Sequence, residues 1–231
     1  MTDDGLDALC RQAADAALTE DLALSLLERR DLPAEAIECL ARNAAVMKGR
    51  KVLRAIVAHP HTPRHVSLPR ARHLYTFELL QIALAPPVLA DVKRMAEEVI
   101  VTRLETITVG ERLTLARRAS TRVAAALLCD REARVRETAL ENPRLNEAAV
   151  IRALQQDDAP EALVHAVCRH PKWSLRRDVQ IALVRNSHTP LARAVYFAGT
   201  LPVTILRDIV ENTQLRPELK VELEREMERR N

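Results

Sequence analysis

The chain has 231 residues, a formal net charge of +3 and a hydrophobic content of 48%, enough for one large domain or two small ones. Only four residues are Gly and 2% are aromatic, whereas helix-favouring Ala, Leu, Arg and Glu dominate. This composition disfavours a sheet and a glycine-rich phosphate loop. No apolar run approaches the roughly 18 residues of a membrane span, so an all-α protein with no membrane association is predicted.

The N-terminal stretch is acidic. Residues 1–41 hold ten Asp or Glu side chains against three Arg, and the opening MTDDGLDALC lacks the basic segment of a signal peptide. The four cysteines are scattered, with no CxxC pair, a distribution typical of reduced, partly buried thiols. These features predict a cytoplasmic protein.

The following stretch is basic. Residues 42–77 contain no acidic residue and eight basic ones, which are Arg42, Lys48, Arg50, Lys51, Arg54, Arg64, Arg70 and Arg72. Such a concentration of like charge indicates a surface that attracts acidic partners. The alternative is that the long stems only cover apolar helix faces while the charged groups stay in water.

The tripeptide HTP lies in this basic stretch at positions 61–63 and occurs again at positions 188–190. We predict a structural role for both copies. Thr62 and Thr189 should cap the N-terminus of a helix with their hydroxyl oxygens. Pro63 and Pro190 should occupy the first helical position, where a missing N–H does no harm.

Residues 105–143 contain a recognisable repeat motif. The phrase DREARVRETALENPRLNEAAVIRAL starts at Asp130 and follows the rhythm D-x-x-x-x-V-R-x-x-x-A-x-N-P through Val135, Arg136, Asn142 and Pro143. NSHTP, from Asn186, and HPHTP give two further partial copies. The chain therefore resembles HEAT-like repeat proteins, especially the leucine-rich-repeat-variant type. The resemblance implies an α-solenoid and no particular activity.

The end of the chain repeats its beginning. At an offset of 127, residues 17–104 match 144–231 without a gap, for instance Arg50 with Arg177. The predicted organisation is a first lobe at 1–104, joining helices at 105–143 and a second lobe at 144–231. Since short helices with one apolar face must stack to be stable, we predict a curved, continuous α-solenoid of short stacked helix pairs, about fifteen helices in all.

Catalytic motifs are absent from the sequence. There is no HExxH, GxSxG, P-loop or GxGxxG pattern. Four histidines cluster between residues 59 and 73, but no carboxylate accompanies them within 42–77, as a metal site would require. We expect no enzymatic activity, no metal and no other cofactor.

Two kinds of binding function remain. The first is a scaffold that binds an acidic protein partner, because residues 169–207 repeat the basic run with seven bases against Asp178 alone. The predicted contact residues are Arg42, Lys48, Arg50, Lys51, Arg54, Arg169, Lys172, Arg176, Arg177 and Arg185. We expect the guanidinium groups of six of them to be exposed, which are Arg42, Arg50, Arg54, Arg169, Arg177 and Arg185.

The second is nucleic-acid binding along the same residues, in the manner of HEAT-like DNA glycosylases or of an RNA-binding protein. Such enzymes need aromatic residues and an acid in a basic groove, for which only Trp173 and Asp178 are available. Stacking on single strands also needs several aromatic residues, and the chain has five. That scarcity favours the scaffold. A membrane-surface role is disfavoured because the basic helices lack flanking Trp and Phe.

Overall fold

The computed structural model describes residues 3–230, with side chains from residue 5 onward, and every regular element in that range is helical. The predicted all-α class is confirmed. The chain divides into two compact units, Met1–Ile107 and Thr108–Asn231. The helices of residues 105–143 thus belong to the second unit.

Alternate helices pack together in the first unit. Its described residues form α1 (Asp3–Ala14), α2 (Glu20–Leu27), α3 (Ala34–Arg42), a 3₁₀ helix (Val46–Lys48), α4 (Arg50–Ala58), α5 (Arg64–Ala71), α6 (Thr76–Leu84) and α7 (Ala90–Arg103). Helix α1 packs on α3 and α5 on α7, while α2 packs on α4 and α4 on α6. Each of these seven α-helices therefore packs against one two places away, and α4 with α5 and α6 with α7 also pack as neighbours.

The second unit follows the same plan. It contains α8 (Val109–Arg118), α9 (Thr121–Leu127), α10 (Ala133–Leu140), α11 (Glu147–Leu154), α12 (Glu161–Arg169), α13 (Arg177–Arg185), α14 (Leu191–Thr200), α15 (Val203–Asn212) and α16 (Pro217–Arg230). Helix α8 packs on α10 and α10 on α12, while α9 packs on α11 and α11 on α13. Its interior is aliphatic, with Trp173 and Phe197 as the largest fully buried side chains.

Six helix starts of the first unit recur in the second unit at one constant offset. The six helices α2–α7 begin at residues 20, 34, 50, 64, 76 and 90, and α11–α16 begin at residues 147, 161, 177, 191, 203 and 217, the same offset of 127 throughout. Two of these starts are capped alike: Thr19 accepts a hydrogen bond from the Leu22 N–H at 3.3 Å, and Asn146 accepts one from the Ala149 N–H at 2.9 Å. Each cap satisfies a backbone donor at the helix N-terminus.

The HTP tripeptides are structural joints, but not by the predicted bonds. Pro63 and Pro190, not the threonines, are the N-cap residues of α5 and α14, and neither cap has a side-chain hydrogen bond. Thr62 Oγ1 donates to the Ile56 carbonyl at 2.5 Å, and Thr189 Oγ1 donates to the Leu183 carbonyl at 2.6 Å. The buried hydroxyls thus satisfy carbonyls at the end of the preceding helix instead of N–H groups at the start of the next.

A recurrent polar joint follows several helix ends. The acceptor atom of the side chain accepts from the N–H two residues later, and its donor reaches the carbonyl of a residue 26–32 positions earlier. The examples are Asn43 to Ala13 (3.0 Å), His59 to Arg29 (3.0 Å), Asn142 to Ala116 (2.7 Å) and Asn186 to Leu154 (2.8 Å). Carbonyls at or just beyond helix C-termini, which lack an intrahelical partner, are satisfied in this way.

The Asp130 motif also has a packing role. Asp130 pairs with Arg112 at 2.8 Å, and the two side chains are 7% and 5% exposed. Arg136 donates to the Asp130 carbonyl at 2.8 Å, and Val135 is fully buried. A buried ion pair must be well partnered to be tolerated, so these motif residues hold α8 to α10.

Candidate functional site

Four of the ten predicted contact residues are engaged by other side chains. The pairs are Arg42 with Glu38 (3.2 Å), Arg50 with Glu78 (2.6 Å), Arg54 with Gln81 (2.7 Å) and Arg185 with Asp208 (2.6 Å). The carboxylates that pair with arginines of the first basic run, Glu38, Glu78 and Asp91, lie outside residues 42–77 in sequence. No acidic residue occurs within the run, but acidic side chains from elsewhere in the chain lie beside its arginines in the folded structure.

Arg50 is the most constrained of these side chains. It is 40% exposed, and its Cζ lies 3.4 Å from the centroid of the Tyr75 ring. Burial would raise the pKa of Glu78, but hydrogen bonds from Arg50 and from the Tyr75 N–H outweigh burial and lower it. The expectation of a freely exposed guanidinium is wrong for Arg50, which ties α4 to α6.

The other six predicted residues are exposed. Within residues 5–230, none of them has a carboxylate within ion-pair distance; they are Lys48, Lys51, Arg169, Lys172, Arg176 and Arg177. Exposed cations without carboxylate partners are available to an acidic ligand, and the number of such cations decides how strongly that ligand is attracted.

Three of these residues surround an exposed leucine in the second unit. In the stretch between α12 and α13, which we call the 172–177 loop, Leu175 is 73% exposed. Lys172 lies over the Trp173 ring at 4.0 Å, Arg176 is the N-cap of α13 and Arg177 is its first residue. Cations at a helix N-terminus oppose the helix dipole. The placement of Arg176 and Arg177 therefore does not stabilise α13.

A groove crosses α2, α4 and α6 in the first unit. This first-unit groove has a volume of about 280 Å³. Its floor is apolar, and its rim carries Lys51, Arg54 and Gln81; the floor residues are Leu24, Ala55, Ala58, Ile82 and Ala85. An apolar depression with a basic edge combines the two features that recur in protein-binding surfaces.

The corresponding positions of the second unit are different. At the offset of 127, the counterparts of Lys51 and Arg54 are Asp178 and Ile181, so the basic rim is missing. The counterparts of Ala58 and Gln81 are Arg185 and Asp208, which pair at 2.6 Å. An ion pair therefore stands where the first unit has an alanine on the groove floor and a glutamine on its rim.

The second unit has a larger cavity of about 770 Å³ between α8, α10 and α12. Its lining carries both charge signs: Arg117 and Arg169 lie with Glu137 and Glu141. The ring of His170 is also in this lining, with Nε2 3.0 Å from Glu141 Oε1. Among the predicted contact residues only Arg169 is found here, and its positive charge is offset by the two carboxylates.

The two residues considered for a DNA glycosylase site do not form one. Trp173 is 2% exposed, and its Nε1 donates to the Leu140 carbonyl at 2.8 Å. It packs in the interior and has no face free to stack on a base. Asp178 is exposed in the first turn of α13, where its charge suits the helix dipole.

The histidine cluster serves the polar joints. His59 is buried and bonds the Arg29 carbonyl, His61 bonds the Leu32 carbonyl at 3.0 Å, and His65 lies 3.3 Å from Glu38. Over residues 5–230, no group of three or more His, Cys, Asp or Glu side chains has an arrangement that could hold a metal ion.

The apolar floor of the first-unit groove was missed by sequence reasoning. Leu24 and Ile82 read as ordinary interior positions of helices, since each belongs to an apolar stripe. The one available signal is the mismatch with the second unit, where Ala58 and Gln81 become charged residues. Charged side chains are rarely buried. A position that is alanine or glutamine in one segment and charged in the matching segment is therefore expected to face solvent.

No model of a known protein family, no curated protein and no solved structure matches this chain. In the described part of the chain, none of the helices is both long enough and apolar enough to cross a membrane. The geometry of the unpaired basic residues and of the grooves therefore carries the functional argument.

Proposed function

We propose that the protein is a non-enzymatic, cytoplasmic helical-repeat scaffold that binds an acidic protein partner through its unpaired basic residues. The proposal takes the chain as a duplicated HEAT-like α-solenoid. It is supported by the Asp130 motif, by the packing of alternate helices and by the matching starts of α2–α7 and α11–α16. Repeat architectures of this kind offer extended surfaces for partners.

The observation that carries the proposal is the 172–177 loop. Three exposed cations without carboxylate partners surround Leu175, the most exposed large apolar side chain among the described residues. Neither the cations nor the leucine contribute to the interior. An apolar centre with a charged periphery is the usual arrangement of a binding hot spot, and the sign of the charge selects an acidic partner.

Affinity capture with two matched variants tests this proposal. The first reverses Lys172, Arg176 and Arg177 to Glu, and the second reverses Arg131, Arg134 and Arg207, which are also exposed in the second unit. We expect the same protein partner to be recovered with the wild type and the second variant, and to be lost with the first. Retention of that partner by the first variant, with the fold intact by circular dichroism, would contradict the proposal.

Nucleic acid is the alternative ligand of the same charges, and a salt titration separates the two. The slope of log affinity against log salt for DNA or RNA approaches the number of phosphates neutralised, several for this loop and its neighbours. A protein partner gives a gentler slope and depends on Leu175 as well as on the cations. Recovery of nucleic acid with a steep slope that Leu175→Ser leaves unchanged would favour the alternative.

A further inference from the structure

We propose that the first-unit groove takes an apolar side chain of the partner, within an acidic segment whose carboxylates pair with Lys51 and Arg54. This inference rests on the proposed function and adds the chemical class of the segment that is recognised. It concerns the other unit from the 172–177 loop, so the two can be tested independently.

The size and lining of the groove select an apolar anchor. Its volume of about 280 Å³ is below the ~300–1,000 Å³ of pockets that enclose a small molecule. It is sufficient for one or two aliphatic side chains. The floor has no charged group, and Leu24 and Ala55 are only partly buried where they pack on the core. Covering them would remove further apolar surface from water.

The rim selects a negative charge on either side of that anchor. Lys51 and Arg54 are three residues apart on α4, a spacing that places their side chains on the same face of the helix. One Nη of Arg54 donates to Gln81 at 2.7 Å, which holds the guanidinium at the groove while its other donors remain available. No carboxylate described in the structure pairs with Lys51 or Arg54, so the matching anions must come from the ligand.

In the second unit, some of the positions that correspond to the groove carry charged side chains. Its Arg185–Asp208 ion pair, at the counterparts of Ala58 and Gln81, occupies positions that help form the groove in the first unit. Asp178 in place of Lys51 would also repel an acidic segment. Only the first-unit residues combine an open apolar floor with a basic rim.

Three synthetic peptides test the chemistry of the ligand by fluorescence anisotropy. The first places two leucines between runs of glutamate, the second replaces both leucines with serine, and the third replaces the glutamates with glutamine. We expect the leucine–glutamate peptide to bind about 10- to 100-fold more tightly than the serine peptide, because an aliphatic side chain leaves water. The glutamine peptide should also bind at least about 10-fold more weakly.

Two variants of the protein test the location. Ala58→Arg with Gln81→Asp introduces the ion pair of the second unit without changing net charge, and Lys51→Glu with Arg54→Glu reverses the rim. Both should reduce binding of the leucine–glutamate peptide at least about 10-fold. Arg131→Glu with Arg134→Glu, a pair of exposed residues with the same spacing in the second unit, is the matched control and should leave it unchanged.

The outcomes separate this inference from the proposed function. Equal affinity for the leucine and serine peptides, unchanged affinity in the Ala58→Arg, Gln81→Asp variant, or no binding of any peptide at millimolar concentration each overturns the groove as an anchor site. If reversal of Lys172, Arg176 and Arg177 still abolishes capture of the partner, the acidic-partner function stands without the groove. Preference for a single-stranded oligonucleotide or for anionic vesicles over all three peptides overturns the groove assignment as well.

Discussion

Helices α2–α7 and α11–α16 begin at matching positions, yet Lys51 and Arg54 of the first set correspond to Asp178 and Ile181 of the second. By contrast, an arginine that hydrogen-bonds a backbone carbonyl occupies matching positions in the last helix of each set. Arg103 donates to the Leu74 carbonyl at 2.7 Å, and at the matching positions Arg230 donates to the Leu201 carbonyl at 2.8 Å. The comparison therefore separates basic residues that hold helix ends from basic residues that face solvent and differ between the regions.

The larger cavity extends this comparison to α1 and α10. In the first unit Cys10 of α1 and Cys39 of α3 are both partly buried against the core, and the neighbouring Cys39 thiol contributes to the raised pKa of Cys10. Their counterparts at the same offset are Glu137 and Ala166, and both line the cavity of about 770 Å³ in the second unit. Neighbouring thiols in one unit correspond to residues that border open space in the other.

The largest expected effect lies at the Arg112–Asp130 ion pair, which holds α8 to α10; helix α8 has no counterpart at this offset. Arg112→Met leaves the carboxylate of Asp130 buried without its ion pair, which should cost about 3–5 kcal/mol of unfolding free energy. Urea denaturation of the variant measures the loss. The double variant Arg112→Met, Asp130→Leu should recover most of it, because no uncompensated charge is left in the interior. A loss below about 1 kcal/mol for the single variant would show that the pair does not hold these helices.

The neighbouring thiols predict a difference in chemical reactivity. Partial burial and the neighbouring Cys39 thiol raise the pKa of Cys10 to about 11. At pH 8 its thiolate fraction should be about 100-fold below that of a cysteine at the ordinary value, and alkylation should be slowed accordingly. Site-resolved mass spectrometry after iodoacetamide treatment, with glutathione as the reference thiol, measures this rate. Alkylation of Cys10 as fast as that of glutathione would contradict this arrangement.

The two HTP joints should be energetically equivalent. Thr62→Val and Thr189→Val each remove one buried hydroxyl bond to a helix-end carbonyl, which keeps only its backbone N–H donor from His59 or Asn186, at a cost of about 1 kcal/mol. Because each bond lies within its own unit and joins matching positions, the two losses should agree within about 0.5 kcal/mol and add in the double variant. Thr102→Val, on an exposed position, is the control. Losses that differ by more than about 1 kcal/mol would break the equivalence of the two joints.

The sequence predicts the helices of this fold better than it predicts the surface. Prolines and the Asn146 cap mark helix starts because their effects are local, confined to one turn of backbone. The role of Thr62 was mistaken because its bond goes back six residues instead of forward three. The pairing of Arg50 with Glu78 could not be predicted, since a count of charges along residues 42–77 does not include a carboxylate from the next packed helix.

The smallest expected effect tests one joint at which the two regions carry different residues. His59 and Asn186 occupy matching positions and make the same two kinds of bond, so only the first unit has a titratable group there. His59 Nδ1 accepts from the His61 N–H, and Nε2 must therefore carry the proton donated to the Arg29 carbonyl. Protonation at low pH would remove the acceptor.

Burial lowers the pKa of His59 and the charge of nearby His61 lowers it further, although the bond to the Arg29 carbonyl acts in the opposite direction. A folded pKa below the unfolded value of about 6.5 means that the unfolded chain binds the proton more readily. The contribution to stability is complete above about pH 6.5 and is lost as the pH falls through that value toward the folded pKa.

The variant His59→Asn should keep both hydrogen bonds, as Asn186 does at the matching position, and has no group that titrates. Urea denaturation from pH 8 to pH 5 should therefore show a smaller loss of stability for His59→Asn than for the wild type, with similar stability at pH 8. Identical pH dependence would mean that the imidazolium is accommodated at this joint, and that the two regions tolerate acid equally well.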